Sequence, residues 1–135
     1  MDGYTIDQAA QKMGISKHTL RYYEREGLLP AIGKGPNGHR LYTDDDLGWV
    51  KILLLLRGTG MPIREMKNLV ALTLAGDHTI PERLEVLERY RVALLARMED
   101  DRERLEFLDR KIDYYTGVLN LQVATADDAV PASAH

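Results

Sequence analysis

Cysteine is absent from the 135 residues, which excludes disulfides, thiol redox sensing and thiolate metal ligation together. Large aromatics are scarce, with one Trp and one Phe beside seven Tyr. Long apolar runs are missing as well. The longest, Ile52 to Leu56, falls far short of the roughly 20 residues that cross a bilayer. Met1-Asp2-Gly3 opens the chain without a basic and apolar leader, so a cytoplasmic protein with no membrane partner is expected. No phosphate loop, metal-ligand spacing or nucleophile motif is present, so neither an enzyme, a cofactor nor a metal site is expected. The net charge of −3 does not favour nucleic acid, but it is unevenly placed. Residues 1 to 43 hold six Lys/Arg against four Asp/Glu with His18 and His39 in addition, whereas residues 44 to 135 hold twelve against seventeen.

What remains is helix punctuated by caps. Thr5 starts a first helix through Ile6, Ala9, Ala10 and Met13, and Gly14 stops it. Ser16 starts a second, with Leu20 and Tyr23 inside and Gly27 at its end. Pro30, Gly33, Gly35, Pro36, Asn37 and Gly38 lie between Leu28-Leu29 and Leu41-Tyr42, which predicts a short hairpin with a glycine-rich tip, a wing. Thr43 and three aspartates open a third helix running to about Arg57, broken by Gly58 and Gly60. Pro62 opens a fourth, closed by Gly76. Thr79, with Glu82 three residues on, opens a last helix with no breaker before Gly117, roughly 60 Å at about 1.5 Å per residue.

The fold class expected is therefore mainly α: a winged helix-turn-helix head over 1–76, a dimerisation helix over 79–120, and a disordered tail over 121–135. Small and apolar residues at Ala10, Gly14, Ile15, Leu20 and Tyr23 suit the crossing of two short helices. The second helix then presents Lys17, His18, Thr19 and Arg21 near its N-terminus, where recognition helices meet base edges and phosphates. Solvated polar residues are the plainer reading of the same four.

Thr19-Leu20-Arg21-Tyr22-Tyr23-Glu24, Gly27-Leu28-Leu29-Pro30 and Gly38-His39-Arg40-Leu41-Tyr42 together resemble the MerR family of transcription regulators, over residues 4 to about 119. The resemblance implies that Arg21 and Tyr22, with Arg40 and Tyr42 of the wing, hold the DNA backbone, His39 standing beside them, while Tyr23 packs inside. Arg57-Gly58-Thr59-Gly60-Met61-Pro62-Ile63-Arg64-Glu65 resembles the family's second wing, which makes Arg57, Thr59 and Arg64 further phosphate candidates; a simple connector between helices is the other reading.

From Leu84 the spacing alternates three and four through Leu87, Arg91, Leu94, Met98, Asp101, Leu105, Leu108, Ile112, Tyr115 and Leu119. Nine of these eleven are apolar, which predicts a coiled coil with a second copy, packing on its own head being the alternative. In an antiparallel pair the numbers of facing residues have a constant sum, and 91/101, 94/98, 87/105 and 84/108 share one. That places a two-fold axis beside Ala96, with Arg91 of one chain facing Asp101 of its twin. A parallel pair sets like charges against each other at both positions.

The partners expected are thus promoter duplex, a second copy and, by the resemblance, RNA polymerase at a promoter whose DNA the dimer bends and untwists, as activator in one state and repressor in another. The segment Arg110-Lys111-Ile112-Asp113-Tyr114-Tyr115 and the stretch Thr59 to Pro62 resemble a subgroup associated with aldehyde or electrophile stress. That subgroup carries a cysteine where this chain has Ile52 to Leu56, so the signal here is not a thiol's. A small-molecule effector is a possible partner. Trp49, Tyr90, Phe107, Tyr114 and Tyr115 are read first as core and second as an apolar pocket between the long helix and the opposite head. His78 reads as a structural or solvated residue rather than a ligand, and His18, His39 and His135 are too scattered for a metal site. An effector-independent architectural DNA-binding protein and a helical protein-interaction adaptor remain as alternatives.

Overall fold

In the computed structural model, which describes residues 3–30, 32–35 and 37–127, the first three expected helix starts are each occupied by the hydroxyl cap that announces them. Thr5 closes a capping box with Gln8 at the start of α1 (Ile6–Met13), and Gly14, at φ +71°, ends it. The Gly14 and Ile15 amides reach back to Gln11 and Ala10, which satisfies carbonyls that a straight continuation would leave in solvent. A Cβ at that φ is strained, so Gly14 makes the tight turn of the helix pair. Ser16 Oγ accepts from the Thr19 amide to start α2 (Lys17–Arg25). Ala9, Ala10, Leu20 and Tyr23 are buried where the helices meet.

Thr43 and Asp46 form a second capping box for α3 (Asp44–Gly58). Gly58 is that helix's last residue rather than its breaker; Thr59 caps it, and Gly60, at φ +96°, turns the chain. Pro62 is the N-cap of α4 (Ile63–Ala75), one place before its first helical residue. Leu47, Val50, Leu53, Met61, Met66 and Leu69 carry these two helices into the head core.

The wing is a hairpin held by one isolated antiparallel bridge rather than by regular strands. Among the described residues there is no strand; isolated bridges pair Lys34 with Arg40 and Tyr4 with Tyr42. Leu28 and Leu29, the expected strand flank, are buried core residues outside any strand. The Gly35 amide donates to His39 at 2.7 Å, and Leu41 donates to Gly33 at 2.9 Å, so the loop is closed by a few local bonds. Pro36 at its tip lies outside the described residues.

The start of the last helix also departs from expectation. Asp77–Thr79 is a 3-10 turn and α5 runs Ile80–Asp127, 48 residues straight through Gly117. Thr79 is buried, and its hydroxyl donates toward the Leu72 and Gly76 carbonyls at 2.6 and 2.8 Å while accepting from Arg83 Nε at 3.0 Å. It closes the end of α4 and no capping box forms with Glu82.

The chain divides into two units, the first ending at Leu94 and the second beginning at Leu95. The first takes in the opening turns of α5 because Val86 is buried in the head core and Tyr90 packs against it, so the head does not end at residue 76. In the second, residues 121–127, expected as disordered tail, are helical; residues 128–135 of that tail lie outside the described residues. No described helix is long and apolar enough to cross a membrane.

Candidate nucleic-acid interface

Residues Arg21 and Arg25 stand one helical turn apart on α2, and the wing brings Arg40 to them. The three guanidinium side chains and Glu24 line one depression of about 400 Å3. A larger groove of about 530 Å3 continues from it between α2, the start of α1 and the wing, past Thr5, Asp7, Asn37 and His39. Three fixed positive charges around one carboxylate leave a local excess that suits a polyanion, and a guanidinium fork matches phosphate oxygens.

Glu24 ties the wing to α2. Arg40 Nε donates to its Oε1 at 2.7 Å and Tyr42 donates to its Oε2 at 3.2 Å, on a carboxylate side chain 18% exposed. Tyr42 itself is fully buried and doubly bridged to Tyr4, with both backbone bonds at 2.8 Å. The expectation that Tyr42 touches the DNA backbone is therefore corrected: its ring fills the core and its hydroxyl is directed to Glu24. Burial, then the Glu24 carboxylate, push this hydroxyl's pKa up to about 12, against the opposing pull of Arg40 and Arg21. Tyr23 is buried as expected, and burial raises its pKa too.

Lys17 and His18 are exposed in the first turn of α2, and Lys17 Nζ lies 3.0 Å from Asp7 of α1, a solvated ion pair that a phosphate can displace. Thr19 is half-buried, its hydroxyl 3.0 Å from Ser16 Oγ, so it braces the cap. Tyr22 is half-buried with the Arg25 guanidinium 5.7 Å from its ring centre. His39 and Arg40 are exposed on the wing.

The second candidate group sits apart, at the turn between α3 and α4. Arg57 is exposed, with Nη1 donating to the Met61 carbonyl at 3.2 Å. Thr59 is half-buried and donates its hydroxyl proton to the Leu56 carbonyl at 2.6 Å, so in this structure it caps α3. Arg64 is exposed in the first turn of α4.

Arg25 and Glu24 are the residues to which the sequence reading assigned no role. Arg25 was within reach of it, since i and i+4 share a helix face with Arg21. The role of Glu24 depends on a wing contact 16 residues on, for which spacing carries no signal. Among the aromatics proposed for a pocket, Trp49 and Tyr90 pack against the head core, while Phe107, Tyr114 and Tyr115 are exposed on the second unit. Among the described residues no group of three His, Cys, Asp or Glu is placed to hold a metal ion.

A capped helix pair followed by a wing, with arginines converging from both, defines a winged helix-turn-helix DNA-binding head. The family model for MerR HTH family regulatory proteins matches residues 4–72. An HTH-type transcriptional regulator of Haemophilus influenzae is 39% identical over 112 residues, covering 83% of each chain. The crystal structure of HiNmlR, described as a MerR family regulator lacking the sensor domain and bound to promoter DNA, matches with a TM-score of 0.76 at 38% identity, covering 89% of this chain and 95% of that one. A MerR family transcriptional regulator from Bacillus thuringiensis matches with a TM-score of 0.70 at 30% identity, covering 84% of this chain and 99% of that one. The chain belongs to the MerR family of helix-turn-helix transcription regulators.

Proposed function

We propose that two copies of this chain pair through α5, bind a palindromic promoter operator and distort it so that RNA polymerase engages the promoter differently in two states of the regulator. The observation that carries the reading is the meeting of Arg21 and Arg25 of α2 with Arg40 of the wing around one groove. Lys17 and His18 flank it from the exposed first turn of the same helix. The promoter duplex in the HiNmlR structure supports the choice of ligand. Arg57 and Arg64 supply a second backbone contact from the α3–α4 turn.

Pairing is supported by the seam. Met98 and Leu105 are each 57% exposed and Ile112 is 61% exposed in the single chain, and Leu84, Leu87 and Leu108 are exposed with them. Leu94 is half-buried. An apolar stripe of this length needs a cover. The antiparallel register sets Arg91 against the second copy's Asp101, which within one chain accepts from Arg104 at 3.1 Å. Bending the operator is the family's expected device, in which protein contacts offset the elastic cost of deformed DNA.

Selecting bound fragments from the source genome and footprinting them tests the reading. The wild type is expected to protect two symmetric half-sites in a salt-dependent manner. Arg21→Ala is expected to weaken every fragment about tenfold, the scale of a lost charged hydrogen bond, and to lower the salt slope by about one. Fragments bound without protection, or an Arg21→Ala protein of unchanged affinity, contradict it.

A further inference from the structure

A carboxylate in the wall of a groove that takes phosphate is out of place on charge alone, because it repels the ligand. Glu24 is nonetheless there, among Arg21, Arg25 and Arg40. Its two oxygens are taken by two residues of the same limb of the wing, Arg40 at 2.7 Å and Tyr42 at 3.2 Å. Among the described residues the wing has few bonds of its own: one isolated bridge, Lys34 with Arg40, a few backbone hydrogen bonds and no strand. Arg40 sits on this lightly braced loop with about half its side chain exposed. A long side chain there samples many rotamers unless something holds it.

We propose that Glu24 is a positioning residue for DNA binding: it holds Arg40 beside Arg21 so that the wing and α2 present their guanidinium groups to one stretch of phosphate backbone. Arg40 donates to Glu24 through Nε, and a guanidinium carries four further N–H donors on its two Nη atoms. The same contact neutralises the carboxylate that phosphate has to approach. Tyr42 is the fixed end of the arrangement, since its buried ring and its bridge to Tyr4 set the height at which Glu24 stands. The proposal rests on the reading of this groove as the DNA interface.

The test is a double-mutant cycle on affinity for a labelled selected operator fragment, using Glu24→Ala, Arg40→Ala and the pair in the 135-residue chain. Glu24→Ala is expected to weaken binding at least fivefold and to lower the salt slope by about one, as Arg40→Ala does, since each phosphate contact contributes about 0.9 to that slope. In the Arg40→Ala background the same change is expected to alter affinity less than twofold. Equal losses in both backgrounds, a salt slope unmoved by Glu24→Ala, or tighter binding overturn the proposal. Should Glu24→Ala melt early, Glu24→Gln and Tyr42→Phe carry the test: Gln keeps an acceptor for Arg40 and is expected to recover part of the loss, and Tyr42→Phe to cost twofold to threefold. A wild type that binds no duplex ends the DNA reading and this proposal together, whereas a wild type that binds while Glu24→Ala is indifferent ends the proposal alone.

Discussion

Tyr42 joins the wing to α2 through its hydroxyl and to the N-terminal segment through its backbone bridge with Tyr4, and its titration reports on that junction. Its hydroxyl is raised from 10.0 to about 12, chiefly by burial and then by the nearby Glu24 carboxylate. A group whose folded pKa lies above its unfolded value contributes stability that is complete below the unfolded pKa and is lost as pH rises through the folded one. The melting temperature is therefore expected to fall as pH climbs from about 10 to 12. Tyr42→Phe is expected to melt lower at neutral pH, by about 1 kcal/mol for one hydrogen bond, and to lose part of the alkaline fall. A variant that matches the wild type across that range contradicts the burial of the hydroxyl. Thr79 makes a similar statement at the base of α5. Replacing it with Val removes a buried hydroxyl whose proton is shared between the Leu72 and Gly76 carbonyls, at a cost of about 1 kcal/mol, since Gly76 keeps the Arg83 guanidinium and the Thr79 amide as donors. Thermal melts check it, and an unchanged midpoint contradicts the contact.

The elements divide by whether a local rule decides them. Thr5, Ser16 and Thr43 cap the helices they precede, because a hydroxyl beside orphan amides is stabilising whatever else surrounds it. Gly14 ends α1 for an equally local reason. Thr79 has the same look in the sequence and a different role, since α4 ends close enough to take its proton. Tyr42 shows the same limit. A Tyr spaced two residues from an Arg suggests a shared face, and in a regular strand it is one, but here the chain forms a bridge with Tyr4 that turns the ring inward. The wing's glycines announce a turn and leave its bracing open; that bracing comes from Glu24 on another element. On α5 the helix is legible and the stripe proposed as a seam recurs at heptad spacing over about ten turns, whereas the end of the helix is not legible, since Gln122 to Asp127 carry no breaker and continue it. The register of that seam is testable by charge exchange. Arg91→Asp alone and Asp101→Arg alone are each expected to weaken the dimer about tenfold or more, and the two together to restore it, as judged by sedimentation equilibrium. Singles that leave the dimer unchanged point to parallel pairing or to none.

At the level of the whole molecule, the proposed dimer makes affinity and specificity depend on two heads acting on one duplex. One head offers a small basic patch in a chain of net charge −3, and along the sequence the acidic balance is carried by residues 44 to 135. A single patch of that kind gives weak, salt-sensitive binding; two patches joined through α5 raise it by effective concentration and select for symmetric half-sites. The absence of cysteine excludes thiol chemistry of this chain from whatever shifts such a dimer between states. Sedimentation velocity of the wild-type protein with a selected fragment labelled at both ends for energy transfer reads stoichiometry and bending in one sample. A complex of two chains per duplex is predicted, dissociating as salt rises, with the DNA ends closer together than in the free fragment. One chain per duplex, or two chains on DNA whose ends have not moved, would contradict the account.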